Sequence, residues 1–257
     1  MKATVCELPD DRAEFSAAWE SLCEHTRENN SNLVLLPEMI FSGWLAATKE
    51  ENVAAWNRSI EEHLDWIERL PELGARVVAG SRPAVVEGAR QNLAFVWSQE
   101  SGLRDVHAKR YLPNEPGFWE AEWYRRGPDE FSAVESEMGK TGFLICTELW
   151  FSRHARDYGQ DGVQLLLCPR ATESRSVEKW VVGGRTASVV SGAYCLSSNR
   201  SWKGTEGSQV TAAGWIIEPI NGEVLGRTTA EKPFLTLDID LAEADRAKLT
   251  YPRDVIA

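Results

Sequence analysis

Many familiar signatures are missing from these 257 residues. There is no Cys-x-x-Cys pair, no His-Glu-x-x-His, no EF-hand loop and no phosphate-binding glycine loop. The only histidines, His25, His63, His107 and His154, lie far apart in the sequence. The common zinc, calcium and nucleotide sites are therefore excluded, and neither a metal nor a cofactor is expected. No G-x-S-x-G elbow is present, which argues against a serine hydrolase. No uninterrupted apolar run approaches the roughly 20 residues of a membrane span. The first residues, Met1 to Pro9, lack the apolar core of a signal peptide and read as a strand. Five cysteines, an odd and scattered set, fit a reducing cytoplasm better than a disulfide scaffold. Basic residues are also outnumbered, 28 Lys and Arg against 39 Asp and Glu. The resulting charge of −11 disfavours nucleic acid and anionic membranes as partners.

What is present is an ordinary globular composition, 43% hydrophobic and 26% charged, with length enough for a large core. Strand-like and helix-like runs alternate. Strands are expected at 3–8, 33–36, 76–80, 92–98, 140–146, 163–168, 193–198, 213–218 and 234–239. Helices are expected at 10–29, capped by Asp10 or Asp11, at 50–70, ended by Pro71, and at 152–158, 177–191 and 241–249. Asn221-Gly222 between two apolar pairs signals a hairpin. The alternation argues for an α/β fold with helices on the sheet faces. Without repeat, linker or low-complexity segment, 1–257 reads as a single domain.

Four residues at the ends of apolar runs carry the chemistry. Glu38 closes Leu33-Val34-Leu35-Leu36-Pro37-Glu38, and Lys109 sits in Val106-His107-Ala108-Lys109-Arg110-Tyr111-Leu112-Pro113. Glu120 ends Glu115-Pro116-Gly117-Phe118-Trp119-Glu120, and Cys146 ends Gly142-Phe143-Leu144-Ile145-Cys146. A thiol, two carboxylates and an amine suit a cysteine amidohydrolase. A lone cysteine is usually a buried structural one, the reading that fits Cys6, Cys23, Cys168 and Cys195.

The order and contexts of these four residues resemble the nitrilase superfamily of carbon–nitrogen hydrolases. The resemblance spans nearly the whole chain. It includes Arg185 with Ser198-Asn199-Arg200, the segment from Gly214 to Leu225, and Tyr251-Pro252-Arg253-Asp254. It implies a four-layer α-β-β-α sandwich and assembly as a homodimer or larger homo-oligomer. The segments 152–158 and 177–191 are then the candidates for the interface. It also implies roles: Cys146 as nucleophile, Glu38 as general base, Lys109 as oxyanion stabiliser with the Thr147 N–H, and Glu120 as a second carboxylate. Glu115 and Glu122 are rivals for that last place. A helix beginning after Cys146 is expected to lower the thiol pKa.

The segment from Pro113 to Glu120 is similar to the loop of N-carbamoylputrescine amidases. The superfamily commonly has Trp directly after the nucleophile, where this chain has Thr147. That difference and the short chain favour amides and N-carbamoyl compounds over nitriles. For the substrate pocket, Trp119, Thr147 and Trp150 adjoin the site residues. Arg170 and Glu173 follow a strand end that should face the nucleophile. Packing is the bland reading of each tryptophan, and an internal ion pair that of the two charges. Two other readings stand beside this one. A Cys-His hydrolase would use His107 or His154 as base, and a non-catalytic binding protein would keep only the fold.

Overall fold

A computed structural model describes residues 1–203, 209–210 and 213–255. β1 (Lys2–Pro9) leads to α1 (Arg12–Asn29), β2 (Leu33–Leu35), α2 (Val53–Ile67), β3 (Val77–Val86), β4 (Ala89–Ser98) and β5 (Gly102–Ala108). Then come α3 (Glu120–Trp123), β6 (Val134–Ser136), β7 (Gly139–Phe143), α4 (Ser152–Gln160), β8 (Leu165–Arg170), α5 (Val177–Ser191) and β9 (Tyr194–Lys203). β10 (Gln209–Val210), β11 (Trp215–Ile217), β12 (Val224–Arg227), β13 (Phe234–Asp238) and α6 (Leu241–Lys248) follow.

The strands form two sheets that share β1. Residues 3–5 of β1 pair in parallel with β2, and residues 2–6 pair antiparallel with β13. Its last residues, Glu7 to Pro9, pair instead with Asn199 to Ser201 of β9. One sheet thus continues through β2, β3, β4 and β5, and the other through β9, β8, β7 and β6.

Alternation along the strands explains the layering, because successive side chains face opposite ways. Ala3, Val5, Leu33, Leu35, Val77 and Ala79 point into a core shared with Phe143, Leu165 and Leu167 of the second sheet. Their neighbours Cys6, Leu8, Val34, Leu36 and Val78 point the other way, onto Phe15, Trp19 and Leu22 of α1. Helices α4 and α5 cover the second sheet with Ala155, Tyr158, Trp180, Val181 and Ala187. The order of layers is helix, sheet, sheet, helix, the sandwich that the sequence resemblance implies. Among the described residues no helix is long and apolar enough to cross a membrane.

Local chemistry sets the boundaries. Asp11 caps α1, accepting the N–H of Ala13 at 2.8 Å. α2 is shorter than its apolar pattern suggests. It starts after Asn52, which accepts the Ala55 N–H, and stops at Ile67. Pro71 lies in a separate 3-10 turn, Leu70–Leu73, so it does not end the helix. The hairpin at Asn221-Gly222 is real but wider than a two-residue turn. Ile217 pairs with Val224, and the Glu218 carboxylate accepts the N–H groups of Ile220, Asn221 and Glu223.

Gly127 marks a close approach. Its N–H donates to the Lys109 carbonyl at 2.9 Å, and a Cβ there would lie 2.1 Å from the Ala108 carbonyl oxygen. Gly127→Ala is expected to destabilise the protein by about 1–3 kcal/mol through this overlap. A urea unfolding midpoint equal to wild type would show that the segment yields freely.

Candidate active site

Lys109 follows β5 and is wholly buried. Its ammonium donates to Glu38 Oε1 at 2.7 Å and to Glu120 Oε1 and Oε2 at 2.8 and 2.6 Å. Burial opposes the charge. Glu120 and Glu38 outweigh it and hold the lysine well above its usual pKa. Glu120 opens the short helix α3 and is equally buried. Burial, aided by Glu38 and countered by Lys109, lifts its carboxyl to about 8. Of the rival carboxylates, Glu115 lines the same cavity as Glu120, described below, and Glu122 sits 3.8 Å from Lys49.

Glu38 stands just past β2, where the chain turns through Met39 with φ +46°. Its Oε1 also accepts from Asn92 Nδ2 at 2.8 Å. Its Oε2 is buried with no hydrogen-bond partner among the described residues. That turn is held from below by Arg200. The buried guanidinium donates to the carbonyls of Glu38 (3.2 Å), Met39 (2.7 Å) and Ser42, and pairs with Asp10.

Cys146 begins a 3-10 turn, Cys146–Trp150, that follows β7. Its φ of +48° is left-handed, a strained conformation for a residue with a Cβ, of a kind that clusters at functional sites. The thiol pKa is not lowered. Burial pushes it up, Glu38 adds to the rise, and Lys109 opposes it. The expected dipole effect fails because a single 3-10 turn, not an α-helix, begins here and because the thiol is only 3% exposed. Cys146 nevertheless stands apart from Cys6, Cys23, Cys168 and Cys195. It alone of the five lines the cavity that Glu120 also lines.

That cavity is about 230 Å³. Phe118, Trp150 and Trp180 form apolar walls, and Glu115, Glu173 and Arg175 lie among its polar groups. Thr147 lines it too, with its hydroxyl donating to the Tyr111 carbonyl at 2.5 Å. Glu173 pairs with Arg175. Among the described residues, no cluster of His, Cys, Asp and Glu could hold a metal ion.

Two expected pocket residues, Arg170 and Trp119, do not line this cavity. Arg170 is fully buried, away from the cavity, with its guanidinium 3.9 Å over the Trp215 ring. It donates to Ser197 Oγ, Thr172 Oγ1 and the Ala213 carbonyl, and desolvation lowers its pKa to about 10. It braces the end of β8, and its own carbonyl accepts the Glu38 N–H at 3.3 Å. Trp119 turns away to pack with Trp44 and Trp123, and the Lys49 ammonium lies 5.2 Å from its ring centre. Trp180, from α5, supplies the aromatic wall instead. Neither His107 nor His154 lines the cavity. His107 pairs with Glu148, and His154 with the Tyr111 hydroxyl.

The sequence reading also passed over Asn92, Glu148 and the bracing role of Arg200. Glu148 carried a usable signal: a carboxylate inside the apolar run from Phe143 to Phe151 must find buried donors.

Comparisons with known proteins identify the family and the fold. The carbon-nitrogen hydrolase family model matches residues 2–249. An omega-amidase of Xenopus tropicalis is 25% identical over 226 residues, covering 86% of this chain and 80% of its own length. An N-carbamoylputrescine amidase of Arabidopsis thaliana is 23% identical over 168 residues, 64% of this chain and 56% of its own. Among solved structures, a carbon-nitrogen hydrolase from Helicobacter pylori G27 superposes with TM-score 0.84 at 19% identity, covering 98% of this chain and 94% of that one. A double mutant of the amidase from Nesterenkonia sp. AN1, in complex with acrylamide, gives 0.75 at 15% identity, covering 96% and 93%. With the family matched from the first strand to the last helix, the chain belongs to the carbon-nitrogen hydrolases, enzymes that hydrolyse carbon–nitrogen bonds.

Proposed function

We propose that the protein is a cysteine-dependent amidase for a small amide or N-carbamoyl substrate, acting through a thioester and releasing ammonia. The observation that carries this reading is the buried Glu38–Lys109–Glu120 cluster beside the one cysteine that lines the cavity. The resting thiol is neutral, so attack on the carbonyl carbon must be coupled to proton loss. Glu38 Oε2, free of other partners among the described residues, is the acceptor.

The Lys109 ammonium and the Thr147 N–H, at the start of the 3-10 turn, stabilise the oxyanion. Collapse breaks the carbon–nitrogen bond, and Glu38 returns its proton to the departing ammonia. Water then attacks the thioester with Glu38 again as base, and the thiol recovers the proton. Glu120 fixes the ammonium with two short hydrogen bonds. The aromatic-walled cavity of about 230 Å³ fits a small substrate.

The test is ammonia release from a panel of simple amides, ω-amides, N-carbamoyl amines, N-carbamoyl amino acids and nitriles. Wild type and Cys146→Ala are compared. Release from an amide or carbamoyl class, abolished in the variant, is expected. Release that survives the substitution would remove Cys146 from the chemistry, and preference for nitriles would reverse the substrate reading.

The elevated Glu120 carboxyl gives a pH signature. Its folded-state pKa is about 8, against an ordinary 4.5, so the native chain holds this proton more tightly than the unfolded one. The associated stability is full below the ordinary value and is lost as pH rises through about 8. The stability advantage of wild type over Glu120→Gln should therefore shrink as pH rises across that window. A constant difference in urea unfolding would exclude the shift.

We also propose that residues 1–257 act as one domain and that the protein works in the cytoplasm, where its five free cysteines would stay reduced. A homodimer or larger homo-oligomer is proposed through the face of α4 and α5. There Trp150, Phe151 and Val182 leave apolar surface exposed. Light scattering should give at least twice the 28.8 kDa of one chain, and a monomer mass would sink the idea.

A further inference from the structure

Glu148 takes no step in the reaction above, yet its carboxylate is wholly buried and fully engaged. Oε1 accepts the Arg110 N–H at 2.6 Å. Oε2 accepts the Ile145 N–H at 2.8 Å and lies 2.8 Å from His107 Nε2. These partners are not arbitrary in the chain. His107 and Arg110 flank Lys109, and Ile145 immediately precedes Cys146. A single carboxylate therefore ties the segment that bears the amine to the segment that bears the thiol.

We propose that Glu148 is a positioning residue that sets the placement of Lys109 relative to Cys146 and the Thr147 N–H. The proposal rests on the reading of Cys146 as nucleophile. Both oxyanion donors must converge on one oxygen, and a misplacement of about 1 Å can cost about 100-fold in rate. The two backbone N–H groups fix both segments to the same rigid fork. They act at positions adjacent to the working residues, where a side-chain contact alone would leave the backbone free. The left-handed Cys146 is the residue most in need of such a hold, because an untethered turn would relax toward ordinary φ. The His107 ring is itself held, packed 4.7 Å from Phe131.

Glu148→Gln tests this in the full chain. The amide keeps the volume but offers one oxygen. Its NH₂ group must then face a backbone N–H, of Arg110 or of Ile145, that has lost its acceptor. The competent fraction is counted by mass spectrometry of exhaustive iodoacetamide labelling at Cys146. Turnover is expressed per competent site. We expect kcat per site to fall about 100-fold with KM within about threefold, because the walls Phe118, Trp150 and Trp180 are untouched.

A merely structural role would lower the melting temperature or the competent fraction and leave kcat per site within about threefold of wild type. That result overturns the proposal. If Glu148→Gln does not fold, His107→Phe takes its place. It keeps both backbone bonds and removes the third, and kcat per site should fall about tenfold. An unchanged kcat there counts equally against the idea.

The rate of iodoacetamide alkylation gives a readout that needs no substrate. A displaced Lys109 should slow it about tenfold. If Cys146 proves not to be the nucleophile, this rate alone decides the positioning claim, and an unchanged rate rejects it.

Discussion

Lys109→Met is expected to abolish turnover and destabilise the fold in one step. The ammonium is the counter-charge of two carboxylates that have almost no contact with solvent. Removing one partner from a buried ion pair typically costs about 3–5 kcal/mol, because the other charge stays behind unpaired. The cost should be largest above about pH 8, where Glu120 is ionised, and smaller below it. If Lys109 holds the oxyanion as proposed, its loss removes a further factor of about 10²–10³ from kcat. The double variant Lys109→Met with Glu120→Gln separates the two effects. It should recover much of the stability and none of the activity. A single variant whose urea midpoint matches wild type would mean that the two carboxylates do not depend on this cation.

The second large effect is expected at Arg200, which does not line the cavity. Its guanidinium carries the carbonyls of Glu38, Met39 and Ser42, together with Asp10. Arg200→Met should leave these acceptors buried without donors, at about 3–5 kcal/mol. The strained turn at Met39 would then relax and take Glu38 with it. Arg200→Lys keeps the charge but not the planar fork and should fall between the two. Thermal unfolding and ammonia release are read together. If Arg200→Met melts within a degree or two of wild type, the turn is held by something other than this side chain.

The strands and helices were legible for a physical reason, whereas the layering was implied only by the family resemblance. Long apolar runs announce buried strands whatever surrounds them, and α5 was expected at 177–191 and is found at Val177–Ser191. Glu38, Lys109, Glu120 and Cys146 stood out through their order and contexts, which resemble the nitrilase superfamily; alone, each would read as a solvated charge or a buried structural thiol.

What escaped was orientation and polar burial. Arg170 ends a strand that does face the site, but nothing in the local sequence says that its guanidinium folds back under Trp215. For the same reason nothing in the sequence singled out Trp180, which lines the cavity where Trp119 was expected. β9 runs on through Ser197, Ser198, Asn199 and Arg200, all buried, because side-chain hydrogen bonds replace apolar contact there. β5 was missed because it is an edge strand, exposed at Arg104 and Asp105, and lacks a continuous apolar run.

The shared strand β1 has a bearing on how the protein is made. It leaves the ribosome well before two of its three neighbours, β9 and β13. Glu38, Lys109, Glu120 and Cys146 have all emerged before the strand that braces the Glu38 turn exists. A nascent chain must therefore keep an open, unpaired sheet edge until β9 has emerged. Catalytic competence should appear late and all at once, with closure of the two ends upon each other.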